Sequence, residues 1–77
     1  MPKNSYVTEI FKKGKVKIAN KLGEEAAETI SAFLAQDKKR VLEESADLIF
    51  HLMLLLEFKN LSFNDVLKIL EDRMDND

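Results

Sequence analysis

Apolar residues recur along this chain at intervals of three and four, and nowhere alternate with polar ones over the length of a strand. That is the period of an α-helix, about 3.6 residues per turn, and it predicts an all-α protein. Glycine and proline number only two and one in 77 residues, so few interruptions are available. Ser5 is placed to cap a first helix running to about Lys13, and Gly14 then breaks or bends the chain. A second helix spans roughly Lys15 to Ala35, with an apolar stripe of Ile18, Leu22, Ala26, Ile30 and Phe33. Gly23 lies inside it at a cost of about 1 kcal/mol relative to alanine. Either a neighbour packs close there or a ligand approaches the backbone. Gln36-Asp37-Lys38 reads as a turn, with Asp37 capping a third helix from about Lys38 to Phe58. Asn60 suits a left-handed stop, and Ser62-x-x-Asp65 has the form of a capping box with Asp in place of Glu or Gln. The last helix runs to about Met74 and should bury Phe63, Val66, Leu67 and Leu70, while Asp75-Asn76-Asp77 frays.

The middle of the third helix, Leu48 to Leu56, is apolar nearly all round and interrupted only by His51. Such a helix needs cover on most sides, and three other short helices can hardly provide it. A homodimer is therefore expected of what reads as a single small domain, 1–77, a size at which one chain buries a limited core. The same run is far shorter than the ~20 residues that cross a bilayer, so no membrane partner is expected. The start of the chain is polar and carries no secretory pattern, which predicts a soluble, cytoplasmic protein. The absence of cysteine excludes disulfides and thiolate metal sites.

Charge is unevenly placed. Residues 1–23 carry six lysines against Glu9 alone, a net of +5, and residues 24–77 carry six basic and thirteen acidic residues, a net of −7. A basic entry segment beside an acidic region can hold a polyphosphate through lysines and a bridging metal, or can simply be a solvated surface. Nucleic acid is not the expected partner, because the chain as a whole is acidic and its basic stretch has few polar base-reading side chains.

The acidic residues form two short clusters, Glu24-Glu25-x-x-Glu28 and Glu44-x-x-Asp47, with His51 one turn further on. On a helix, Glu28 lies about 60° from Glu25 and Lys21 about 40° from it; Asp47 lies about 60° and His51 about 20° from Glu44. Taken singly, each cluster describes a solvated helix face. Ala26, Ala27 and Ile30 around the first, and Ala46, Leu48 and Ile49 around the second, place both at the edge of a core. Facing each other, the carboxylates would raise one another's pKa and oppose folding, and a hard divalent cation removes that conflict. The chain reads as a candidate helical magnesium site. His51 is either a hydrogen-bonded core residue or a donor that orients the Asp47 carboxylate. No glycine-rich phosphate loop or H-E-x-x-H is present, and one histidine cannot make a multi-His zinc site.

Lys21-Leu22-Gly23-Glu24-Glu25-Ala26-Ala27-Glu28 resembles the K-[VL]-G-E-E-A-x-E signature of phosphoribosyl-ATP pyrophosphohydrolases. Glu44-Ser45-Ala46-Asp47-Leu48-Ile49-Phe50-His51-Leu52 is similar to that family's E-[AS]-A-D-L-x-[YF]-H-L segment. Ser5-Tyr6-Val7-Thr8, Gly14 and Lys17-Ile18 resemble its opening, and Leu61-Ser62-Phe63-Asn64-Asp65-Val66-Leu67 the start of its last helix. The resemblance runs from Ser5 to Arg73. The acidic core alone would indicate only the wider MazG-like, all-α superfamily. The Lys-Gly pair, the histidine and the Ser-Tyr opening narrow it. In one respect the chain departs from the pattern: the family usually has a further helical stretch before the Ser-Tyr segment, and only Met1-Pro2-Lys3-Asn4 precedes it here.

The resemblance implies hydrolysis of phosphoribosyl-ATP to phosphoribosyl-AMP and pyrophosphate, the second step of histidine biosynthesis. It implies Glu25, Glu28, Glu44 and Asp47 as magnesium ligands, with Glu24 a further ligand or the residue that positions the attacking water. Lys21, Lys17 and Lys13 would neutralise phosphate oxygens, and His51 would orient Asp47 beside the substrate. Two other readings compete: a MazG-like enzyme acting on other nucleoside triphosphates, and a non-enzymatic helical dimerisation module.

Overall fold

The computed structural model describes residues 3–75 as four helices: α1 over Lys3–Lys13, α2 over Lys15–Ala35, α3 over Lys38–Phe58 and α4 over Phe63–Asp75. Each break between them has a local cause. α1 gives way to α2 at Gly14 alone, whose φ of 89° is open to glycine and strained for other residues. The Asp37 carboxylate accepts the Arg40 backbone amide at 3.0 Å and caps α3 as expected. α3 ends in a Schellman turn: Leu61 N–H donates to the Leu56 carbonyl at 2.8 Å, Asn60 N–H to that of Glu57 at 2.9 Å, and Asn60 has a φ of 61°. The Ser62–Asp65 capping box is formed in both directions. Ser62 N–H donates to Asp65 Oδ2 at 2.8 Å, and Asp65 N–H to Ser62 Oγ at 3.3 Å. Ser5 is not the cap of α1, which already begins at Lys3. A serine disfavours a helix interior only weakly and does not interrupt one anchored through Tyr6 and Ile10. Of the tail expected to fray, Asp75 closes α4, and Asn76 and Asp77 lie outside the described residues.

α2 and α3 form an antiparallel hairpin on the two-residue connection Gln36-Asp37, the most extensive packing in the molecule. α1 lies against it in the same direction as α3: Tyr6 meets Phe50 and His51, and Phe11 meets Phe58 edge to face. Ile10, Ile18 and Leu54 form the core, with Tyr6, Val7, Phe11, Phe50 and Leu55 packed around them.

The buried face of α2 differs from the expected stripe. Ile18 is buried, but Ile30 and Phe33 are 59% and 74% exposed. The buried positions are Ile18, Glu25 and Ala32. Steps of four residues advance about 40° each around a helix and carry the stripe off the seam, whereas seven residues return to within about 20° of the start. α4 corrects a second expectation. Phe63 and Val66 are half-buried, Leu67 and Leu70 are exposed, and none is buried within one chain. On α3, Leu48, Leu52 and Leu55 are half-buried, while Ile49 and Met53 are each 45% exposed. Ile49 and Met53, and not the three leucines, line a largely apolar groove of about 700 Å³ with Val7, Ala46, Phe50 and Leu54. Among the described residues no helix is long and apolar enough to cross a membrane.

A Cβ at Gly23 would meet nothing within 4 Å, so no neighbour in this chain requires the glycine. In urea denaturation without metal, Gly23→Ala should gain about 0.5–1 kcal/mol from helix propensity. Gly14→Ala should lose about 1–3 kcal/mol, because φ 89° with ψ −173° is a region essentially confined to glycine. Equal shifts for the two would contradict the backbone geometry at Gly14.

Candidate active site

Two of the seam positions that pack α2 against α3 are carboxylates. Glu25 and Glu44 are 8% and 5% exposed, and each occupies a slot where the flanking buried residues are apolar or neutral. Glu28 stands one turn beyond Glu25 at the exposed edge, and Glu25, Glu28 and Glu44 offer oxygens that all lie within 4.8 Å of one another. The Thr29 hydroxyl sits between the helices, 2.8 Å from the Glu25 carbonyl and 3.0 Å from that of Glu44, and ties the two backbones together beside the acids.

Cations from the same helices offset part of the charge. Lys21 Nζ is 3.9 Å from Glu24 and 3.8 Å from Glu25. Arg40 lies 3.2 Å from Glu43 and 2.6 Å from Glu44. Burial nevertheless pushes the Glu44 carboxyl above its ordinary range. Sharing a hydrogen bond with the adjoining Glu28 carboxyl pushes the same way, as do the Glu28 and Asp47 charges, and Arg40 opposes them. One oxygen of each buried acid, Glu25 Oε2 and Glu44 Oε2, has no hydrogen-bond partner among the described residues. Buried carboxylate oxygens without donors are rare, and an all-oxygen cluster of this kind fits a hard divalent cation.

The remaining expected site residues fall around this cluster. Asp47 is exposed and is not one of the three mutually close carboxylates, although its charge is felt at Glu44. Glu24 is largely exposed beside Lys21. Lys17 and Lys21 line a cleft with Tyr6, Glu9, Ile10 and Lys13. His51 is buried, but its partner differs from the expected one. Nδ1 lies 2.9 Å from the main-chain carbonyl of Asp47, not from its carboxylate. A carbonyl only accepts, so Nδ1 carries the hydrogen and Nε2 accepts from the Tyr6 hydroxyl at 2.6 Å. His51 therefore joins α1 to α3 and holds the Asp47 backbone.

Sequence reasoning passed over three residues. Arg40, four residues before Glu44, and Thr29, four after Glu25, each carried a helical-spacing signal. Tyr6 carried none for its bond to His51, 45 residues away.

The all-helical hairpin thus brings facing acids, buried oxygens without donors and lysines together beside the α2–α3 seam. A family model of phosphoribosyl-ATP pyrophosphohydrolase matches residues 1–74. Among relatives, a phosphoribosyl-ATP pyrophosphatase of Rhizorhabdus wittichii is 53% identical over 72 residues, 94% of this chain and 68% of the relative. That of Zymomonas mobilis is 51% identical over 94% of this chain and 67% of the relative. That of Metallosphaera sedula is 45% identical over 96% of this chain and 80% of the relative. The chain belongs to the phosphoribosyl-ATP pyrophosphohydrolase family, and the hydrolase class expected from its motifs stands.

The direction of the Glu44 shift sets a pH dependence. A carboxyl whose folded pKa is raised binds its proton more tightly in the folded chain. Its ionisation therefore costs stability as pH rises from the ordinary value of 4.5 through the raised folded value. Thermal melts in chelator should show the wild type losing stability relative to Glu44→Gln across that window. A gap that closes as pH rises would contradict the burial argument.

Proposed function

We propose that this chain hydrolyses phosphoribosyl-ATP to phosphoribosyl-AMP and pyrophosphate, in histidine biosynthesis, with magnesium as cofactor. The observation that carries the reading is the pair of buried, facing carboxylates with unpartnered oxygens, Glu25 Oε2 and Glu44 Oε2, in a chain of this family. Glu25, Glu28 and Glu44, joined by Asp47, are the residues to hold the metal. When bound, it supplies charge neutralisation and Lewis-acid polarisation of phosphoryl oxygens. Without a cation the acids would repel a triphosphate. Lys21, shared between Glu24, Glu25 and the cleft, binds triphosphate oxygens, and Lys17, one turn earlier, binds substrate from within the cleft. Glu24, at the exposed rim, positions the attacking water. The bond between the α- and β-phosphates breaks, and pyrophosphate leaves. Thr29 acts through the backbone, fixing the spacing of α2 and α3, and His51 ties α1 to α3.

Glu28→Gln removes one charge at an exposed position and keeps the shape. Pyrophosphate release from phosphoribosyl-ATP should fall by at least about two orders of magnitude, the scale for losing one transition-state charge contact. Helix content by circular dichroism should not change. Turnover undiminished in excess chelator would sink the metal reading.

The active unit we propose is a homodimer. Ile49, Met53 and the groove beside them, and the exposed apolar side of α4, give one chain more apolar surface than it covers. Obligate interfaces of this kind commonly bury more than about 2,000 Å². Sedimentation at micromolar concentration should show a dimer. Ile49→Glu should dissociate or aggregate it, whereas a stable monomer would tolerate a charge at this exposed position.

A further inference from the structure

The cleft beside the acidic cluster has chemistry of its own. Tyr6, Glu9, Ile10, Lys13, Lys17 and Lys21 enclose about 220 Å³ where α1 meets α2. Buried Ile10 forms part of its lining, and the Tyr6 hydroxyl is held in place by His51. Lys13 and Lys17 make no ion pair among the described residues, and Glu9, one turn before Lys13, pairs with neither. Lys21 at the rim is instead engaged with Glu24 and Glu25. Successive turns of α2 therefore present Lys17, Lys21, Glu24 with Glu25, and Glu28, so a lysine end and an acidic end lie on one continuous surface. Eight residues, about 12 Å of helix, separate Lys17 from Glu25.

The two ends call for different partners. An acidic end receives phosphate only through a cation, whereas unpaired lysines receive it directly. Phosphoribosyl-ATP has two anionic ends, a triphosphate and the 5′-phosphate of the second ribose, separated by two riboses and a purine. ATP has one. We propose that Lys13 and Lys17 hold the phosphate of the phosphoribosyl arm, with Glu9 accepting hydrogen bonds from its ribose hydroxyls, while Lys21 stays with the triphosphate. The inference rests on phosphoribosyl-ATP being the substrate, and makes this cleft the element that distinguishes it from ATP.

Two measurements on the full chain test it. In magnesium, Lys13→Met and Lys17→Met should each lower the ratio of kcat/KM for phosphoribosyl-ATP to that for ATP about tenfold, mainly through KM, the low end for a charge-assisted contact. Lys17→Arg, which keeps the charge, should restore most of the ratio. In chelator, ribose 5-phosphate should give saturable amide shifts at Tyr6, Lys13 and Lys17 by NMR, and ribose none. The Lys13→Met/Lys17→Met double variant should lose them. Equal losses for both nucleotides, or no response to ribose 5-phosphate, overturn the assignment and leave the activity standing. A wild type that does not hydrolyse phosphoribosyl-ATP removes the activity, and the ribose 5-phosphate titration still decides whether the cleft binds a phosphosugar.

Discussion

The molecule is organised around a conflict in the α2–α3 seam, where Glu25 and Glu44 occupy positions that packing alone would give to apolar residues. Two burdens follow, desolvation of each carboxylate and repulsion between them. The structure meets them only in part. Lys21 and Arg40 reach one side of the pair, Thr29 holds the backbones together, and one oxygen of each acid is left without a donor. The compensation is incomplete, and the raised Glu44 carboxyl is its electrostatic consequence.

Precision at such a site depends on what carries it. Here Glu25, Glu28 and Glu44 stand on helices, not loops, and the helix ends are closed by local devices: Asp37 at the start of α3, the Schellman turn at its end and the capping box of α4. The Tyr6–His51–Asp47 chain of hydrogen bonds ties α1, which carries part of the basic cleft, to α3 through the buried His51. The apolar core is small by comparison, three large residues and Ala32. Much apolar surface on α3 and α4 stays open within one chain, and it is this surface that the proposed homodimer would cover.

Much of this was legible in the residues themselves. Helix boundaries follow from local rules, and Gly14, Asp37, Asn60, Ser62 and Asp65 each act within a few residues of their own position. The grouping of Glu25 with Glu28 is likewise a matter of helical angle. The failures have a common origin. Ser5 met a cap rule that an already anchored helix overrode. Ile30 and Phe33 fitted a helical stripe but lie off the seam, because the line of contact is set by how α2 crosses α3 and not by α2 alone. The same crossing decided that Glu25, not Glu24, is buried and that Glu25 and Glu44 face each other. The packing of α1 against α3 brings the Tyr6 hydroxyl to His51. Short-range geometry is written in the order of residues, since one helix turn determines it. Which side chains lose their water depends on a second helix arriving from elsewhere in the chain, and only the tertiary structure could decide it.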